Sequence, residues 1–353
     1  MPAVFLFKFQ NKTTIMKSKN TYNFYEDLDD FDLDERGNER FQRRHPKSMK
    51  SSEQVFLHKQ DDSRASFQFT YHAARFEEAW LLDSLGAFYE HLWISDVLRK
   101  VRGGKEASVY LCRAGEAVEA DLLAVKVYRP RTLRNLKQDH LYREGRAELD
   151  AEGKQLIDDG ALHAIAKRTT YGEQLRHQSW ISYEFSTLQS LFEAGADVPR
   201  PYEMANNAIL MDYIGDLAEP APALSEIRLD KTEARTLFER LLANLDILLA
   251  HQRVHGDLSA YNILYWEGDM TLIDFPQVVS PLGNRNAYRI FERDVARVCE
   301  YFARMGVTSQ PRKLASDLWT KHGYRVQDEI HPLLLDAENP KDRSLWLEQK
   351  RGR

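Results

Sequence analysis

Cysteine is scarce. The 353 residues hold two, Cys112 and Cys299, far apart and in no metal-ligand spacing. That excludes a disulfide framework and a zinc finger, and it fits a reducing cytosol. No run of 18 apolar residues occurs, so no helical membrane span is expected. No charge sign dominates either. Against 49 Lys+Arg stand 54 Asp+Glu, a net charge of −5, so any nucleic-acid contact needs a local basic patch. Apolar material is plentiful: 43% of residues are hydrophobic and 11% aromatic, which excludes global disorder and allows a sizeable core. The length suits two or three domains or one large bilobal one, and no internal repeat is visible.

The N-terminal stretch 3–9 is apolar but interrupted by Lys8, with no basic segment before it. That argues against a signal peptide, and Met16 opens a more ordinary soluble start. Residues 21–40 carry eight acids and two arginines, and residues 41–50 carry four bases and no acid. Segregated charge reads as a solvated, poorly ordered arm over 1–66. Residues 67–100 look helical, with Phe76, Leu81, Leu85, Phe88 and Leu92 recurring at helical spacing. Short β-type runs follow at 108–112 and 122–128. A polar segment, 129–178, reads as an insertion within a domain. A helix is expected over 181–194, stopped by Pro199 and Pro201, and a strand over 208–213. Residues 216–226 hold two prolines, Pro220 and Pro222, and read as a linker. A strongly amphipathic helix follows over 230–252, with Asp230 and Glu233 at capping positions. The domain scheme is an arm (1–66), a helical lead-in (67–100), a β-rich lobe (101–215), a helical lobe (216–310) and a helical extension (311–353).

The sharpest chemistry lies in His255-Gly256-Asp257-Leu258-Ser259-Ala260-Tyr261-Asn262, followed by a short apolar run that ends at Asp274. Asp-x4-Asn and a strand ending in Asp are what phosphoryl transfer from ATP requires. One carboxylate orients the nucleophile, while an amide oxygen and a second carboxylate hold Mg2+. Magnesium takes hard oxygen ligands, and phosphates and waters complete its shell. Upstream, Gly103-Gly104-Lys105 forms a glycine turn opening onto a strand, where backbone N–H groups can approach phosphate. Ala124 and Lys126 share one face of the next strand. A lysine among aliphatics is costly unless paired, and Glu184 on the 181–194 helix is the candidate partner. His255 reads as a structural hydrogen bonder and Cys112 as core.

These segments resemble the RIO family of atypical protein kinases. The resemblance rests on Gly104-Lys105-Glu106-Ala107, on Glu184-Phe185 with Ala194-Gly195 and Val198-Pro199-Arg200-Pro201, and on Met211-Asp212-Tyr213-Ile214-Gly215. It rests also on Asp257-Leu258-Ser259-x-Tyr261-Asn262, on Asp274-Phe275-Pro276-Gln277 and on Glu292-Arg293-Asp294-Val295. It spans roughly residues 95–300. It implies an α+β, bilobal, protein-kinase-like fold of trimmed type, with an insertion before the glutamate helix and no ordinary activation loop. No Ala-Pro-Glu element follows Asp274, in keeping with that.

The resemblance makes Lys126 the phosphate-contacting lysine, Glu184 its partner and Asp257 the catalytic aspartate. Asn262 and Asp274 become ligands of Mg2+ or Mn2+, and Asp274 a residue that can itself accept phosphate. Gly103, Gly104 and Lys105 would cradle the ATP phosphates. Met211 would be the gatekeeper, the backbone of Asp212 and Ile214 would meet adenine, and Val109, Ala124, Leu264 and Ile273 would sandwich its ring. Many family members carry Ser at the position of Ala107, so a Ser108 hydroxyl on phosphate is not expected. Implied partners are ATP, a protein substrate or the chain itself, and ribosomal RNA or a ribosomal subunit through the basic run Arg129, Arg131, Arg134 and Lys137, with no membrane. Two other readings stay open: a small-molecule phosphotransferase of the aminoglycoside or choline kinase kind, and an ATP-binding switch with little phosphotransfer to protein.

Overall fold

The computed structural model describes residues 67–104, 106–129, 142, 144–150, 153–205, 207–326, 340, 343, 344 and 347. The chain divides into two units, Met1–Gln68 and Phe69–Arg353, and the elements that follow all belong to the second. The charged arm expected over 1–66 lies outside the described residues.

Helix α1 (Arg75–Glu90) opens the unit and buries Leu81, Leu85 and Phe88, whereas Phe76 and Leu92 of the expected stripe are exposed. The helical reading of 67–100 fails beyond Glu90. Leu92 takes a left-handed conformation (φ 58°), its N–H bonds to the Tyr89 carbonyl, and the Trp93 N–H reaches back to Phe88. This is a helix stop of the kind usually made with glycine, here made with a leucine that gives no stop signal in the sequence. Strand β1 (Ile94–Gly103) follows and pairs antiparallel with β2 (Ala107–Ala114). Glu77 of α1 ties the helix to them, accepting hydrogen bonds from Lys100 Nζ at 3.0 Å and the Tyr110 hydroxyl at 2.6 Å.

Strand β3 (Leu122–Tyr128) occupies the expected span. The sheet is completed by β4 (Pro201–Ala205) and β5 (Ala208–Asp212) in the order β1-β2-β3-β5-β4, all antiparallel. Pro201 had read only as a helix stop. It opens an edge strand, the one place in a sheet where a missing N–H costs nothing.

The polar segment 129–178 is not a single loop. It contains helix α2 (Asp159–Ala166), capped by the Asp158 carboxylate, and the start of α3 (Thr170–Glu193). Helix α3 thus begins well before position 181. Thr169 caps it, its hydroxyl accepting the Gly172 N–H at 3.0 Å. The first turns carry Glu173, Gln174, Arg176 and His177. Glu, Gln and Arg are good helix formers, so a polar insertion can carry the start of a helix. The helix ends at Ala194, with Gly195 at φ 80°.

The helical lobe starts with α4 (Lys231–Ala250). Asp230 caps it as expected, accepting N–H bonds from Thr232 and Glu233. The hairpin β6 (Ile263–Trp266) and β7 (Asp269–Leu272) precedes α5 (Ala287–Arg304) and α6 (Pro311–Lys321). One apolar core joins α3, α4, α5, α6 and the hairpin around Leu237, Leu241, Leu245, Phe275, Phe291, Phe302 and Trp319. A polar cluster links the end of α3 to this lobe. Arg240 forks onto both Asp197 oxygens at 2.7 Å, Asn244 donates to Asp197 at 2.6 Å, and the Leu272 N–H bonds to the Asp197 carbonyl at 2.7 Å. Cys112 and Cys299 are both buried and free. Among the described residues no helix is long and apolar enough to cross a membrane.

Candidate active site

Lys126 stands on β3, where register pairs it with Val109 of β2 and Ile209 of β5. The strand turns its aliphatic neighbours into the sheet and its ammonium toward α3. There Nζ donates to Glu184 Oε1 at 2.7 Å and to Asp274 Oδ1 at 2.7 Å. The Glu184 side chain is 1% exposed, that of Lys126 12% and that of Asp274 44%. Burial alone would pull the lysine pKa down, but the Asp274 and Glu184 carboxylates hold it well above its ordinary value. Burial pushes Asp274 up, but the Lys126 charge and hydrogen bond, aided by the Arg102 charge, bring it below the usual carboxylate range. The pairing expected between strand lysine and helix glutamate is present, and Asp274 joins it.

Asp274 follows β7 and sits at φ 71°, a left-handed conformation that swings its carboxylate off the strand direction. Around it the His255–Asn262 loop is pinned by backbone contacts. His255 is buried: Nδ1 accepts the Asp257 N–H at 3.3 Å, so Nε2 is the donor to the Ile273 carbonyl at 3.1 Å. His255 is therefore a structural hydrogen bonder, as its sequence context suggests. Gly256 adopts φ 86°, and a Cβ there would lie 2.1 Å from the Gln277 carbonyl, so only glycine fits. Its N–H donates to the buried Asp294 at 2.8 Å, and Arg293 donates to its carbonyl and to Asp294.

Asp257 and Asn262 lie side by side. Asn262 Nδ2 donates to the Asp257 carbonyl at 2.8 Å, and to its Oδ2 at 3.4 Å. This turns the Asn262 amide oxygen the other way. Asp257 Oδ1 accepts from Arg297 Nη1 of α5 at 2.9 Å. Arg297 did not stand out in the sequence. Its one signal is helical spacing, since Arg293, Asp294 and Arg297 recur three and four apart.

The residues expected to line the adenine ring group as the strand positions require. Ala124 of β3 pairs with Met211 of β5, and both join one apolar cluster with Val109 packed against it. Leu264 on β6 and Ile273 after β7 are half-buried, and the Ile273 N–H bonds to the Asn262 carbonyl at 3.0 Å. After β5, the Asp212 N–H is taken by the Arg200 carbonyl and the Ile214 carbonyl by the Ala221 N–H. Gly103 and Gly104 close the β1–β2 turn, the Gly104 N–H bonding to the Ala107 carbonyl at 2.9 Å. Lys105 lies outside the described residues, as do Arg131, Arg134 and Lys137. Ser108 is 1% exposed inside the sheet, which removes its hydroxyl from the turn, as the shift from Ala107 suggested.

The RIO domain family matches residues 108–314 of this chain. The chain belongs to the RIO family. Among curated RIO proteins, the RIO-type serine/threonine-protein kinase Rio1 of Haloferax volcanii is 30% identical over 58% of this chain and 62% of its own length. The serine/threonine-protein kinase RIO1 of Chaetomium thermophilum is 33% identical over 61% of this chain and 40% of its own length. The matched region thus spans less than two thirds of these RIO relatives. Among solved structures, the Rio2 kinase–ADP/Mg2+–phosphoaspartate complex from Chaetomium thermophilum is similar at a TM-score of 0.49. It is 20% identical, covering 80% of this chain and 81% of that one.

Proposed function

We propose that this RIO chain is an ATP-dependent phosphotransferase that uses Mg2+ or Mn2+ and acts on serine or threonine of a protein, or on itself. The observation that carries the reading is the Lys126 ammonium shared by Glu184 and Asp274, beside the Asp257–Asn262 pair. The donor set suits a nucleotide-bound magnesium ion. Asn262 offers an amide oxygen turned away from Asp257, and Asp274 keeps a second carboxylate oxygen beyond the one Lys126 holds. Among the described residues no cluster of three His, Cys, Asp or Glu could hold a metal alone, so phosphate oxygens and waters must complete the shell.

Bound to the triphosphate, the metal would neutralise developing charge on its oxygens. The chain's own groups do the rest. Lys126, kept charged by its two partners, positions the phosphates. Asp257, with Oδ1 fixed by Arg297, presents Oδ2 to orient the acceptor hydroxyl and receive its proton. Val109, Ala124, Met211, Leu264 and Ile273 offer apolar surface to the adenine ring. In this reading Asp274, held ionised, would itself attack the γ-phosphorus, giving an aspartyl phosphate as ADP leaves. A ribosomal RNA contact through the run that begins at Arg129, and a cytoplasmic location in keeping with two free buried cysteines, complete the reading.

Incubation of the purified protein with Mg2+ and γ-labelled ATP tests it. Label should reach protein rather than small alcohols such as choline or an aminoglycoside. Label lost to hydroxylamine, and absent in Asp274→Asn, marks the acyl phosphate. Label that survives both marks serine or threonine, with Ser48, Ser51 and Ser52 of the arm as candidate acceptors. No transfer and no hydrolysis would refute the phosphotransferase reading.

A further inference from the structure

Lys126 must hold two carboxylates that come from separate elements, Glu184 on α3 and Asp274 after β7. In this chain a short piece of the polar insertion spans those two elements. The Arg146 guanidinium lies over the Tyr183 ring at 3.6 Å, one residue before Glu184. Its nitrogens donate to the Trp180 carbonyl of α3 at 3.3 Å and to the Pro276 carbonyl at 3.4 Å, two residues after Asp274.

The flanking residues press the same segment onto the chain that follows Asp274. Gly145 sits at φ 72°, and a Cβ on it would lie 1.9 Å from the Gly283 carbonyl oxygen. Glu144 accepts hydrogen bonds from Arg285 at 2.5 Å and from Asn286 at 3.4 Å. The Tyr142 hydroxyl accepts from Arg293 at 3.1 Å, and that arginine also holds the Gly256 carbonyl and Asp294. The segment therefore touches the glutamate helix, the loop after Asp274 and the anchor of the catalytic loop.

We propose that Arg146 is a positioning residue: it sets the spacing between α3 and the Asp274 loop at which both carboxylates reach one ammonium group. A planar guanidinium can stack on a ring and donate in two directions at once, which a lysine cannot. The inference rests on the phosphotransferase reading for its kinetic consequences, though not for its structural ones.

The test compares wild type with Arg146→Ala, Arg146→Lys, Gly145→Ala, Glu184→Gln and the Arg146→Ala/Glu184→Gln double variant. Readouts are kcat and KM for ATP, and amide hydrogen exchange over residues 180–186 and 274–280. Arg146→Ala should lower kcat roughly tenfold or more with a smaller change in KM, because it misplaces groups rather than removing contacts to ATP. Gly145→Ala, which lifts the segment while keeping the Arg146 side chain itself, should do the same. Arg146→Lys, keeping a cation over Tyr183, should recover part of the loss. With Glu184→Gln already present, Arg146→Ala should cost less than about twofold more, since the route of its effect is gone. Exchange should quicken over both segments and not in α4.

Wild-type kcat in both Arg146→Ala and Gly145→Ala, an undiminished loss in the Glu184→Gln background, or unchanged exchange over both segments would each overturn the proposal. If Arg146→Ala fails to fold, Arg146→Lys and Gly145→Ala carry the same comparison. If wild type itself transfers no phosphoryl group, the phosphotransferase reading falls. Exchange alone then decides the positioning role, and unchanged protection refutes it.

Discussion

Replacing Lys126 by methionine keeps the length of the side chain and its apolar stem while deleting the charge between Glu184 and Asp274. Each of those carboxylates lies 2.7 Å from the lost nitrogen, so they are left facing each other about 5 Å apart. At an effective dielectric of about 20 their repulsion is about 3 kcal/mol, and screening at the half-exposed Asp274 reduces it to about 2 kcal/mol. For the unit Phe69–Arg353 that is roughly 3 °C in Tm at pH 7. The sign with pH is fixed by Asp274. Its folded pKa is depressed by Lys126, so the pair contributes stability above the unfolded value of 3.8, and that stability is lost as pH falls through the folded value. Lys126, raised above 10.5, keeps its part of the contribution throughout the acid and neutral range. The Tm gap between wild type and Lys126→Met should therefore be widest near neutral pH and shrink below about pH 4. Differential scanning calorimetry at pH 7, 5 and 3.5 reads it directly. A gap that stays constant across that range, or no gap at pH 7, would refute the charge argument. Phosphotransfer should fall at least roughly 10²-fold in the same variant.

Asp257→Ala should lose turnover by roughly 10²-fold or more while binding ATP nearly as wild type does, because the proposed role of that carboxylate is toward the acceptor and not ATP; isothermal titration alongside turnover checks the split. ATP should raise Tm by mass action, and more with Mg2+ or Mn2+ than with EDTA. Asn262→Ala and Asp274→Ala should lose the metal-dependent part of that shift, and an equal shift with and without metal in wild type would point to a metal-free nucleotide site.

The elements that could be read from sequence are those whose local chemistry agrees with their place in the fold. Strand β3 shows as a run of aliphatics broken by one lysine, and that lysine's need for a partner led to Glu184. Helix α4 announces its start with Asp230 and its face with leucines. The errors have physical causes of the opposite kind. Leu92 occupies a left-handed position without the glycine that would mark it, so the sequence does not signal where α1 ends and β1 begins. The first turns of α3 are polar yet half-buried, with Arg176 donating to the Ile165 carbonyl of α2, so hydropathy alone did not extend the helix back from position 181. Arg146 has no sequence signal because its partners lie far along the chain and no local period links it to them, and Arg297 has only its helical spacing with Arg293 and Asp294. Contacts made by a long polar side chain across more than 30 residues, such as Arg146 to Trp180, leave no trace in hydropathy.

The order of the sheet has a consequence for how the chain is made. Strand β3 is central, flanked by β2 and β5, yet β5 follows it only after about 80 residues of crossover. On a ribosome adding ~5–20 residues per second, one edge of β3 waits on the order of 4–16 s for its neighbour. An unpaired apolar edge is an invitation to aggregate, and natural sheets guard such edges with an inward lysine. The run Leu122–Tyr128 contains one charge, Lys126. The lysine at the heart of the candidate site thus doubles as the gatekeeper of the nascent strand, and Lys126→Met should raise the insoluble fraction on expression by more than its loss of folded stability accounts for.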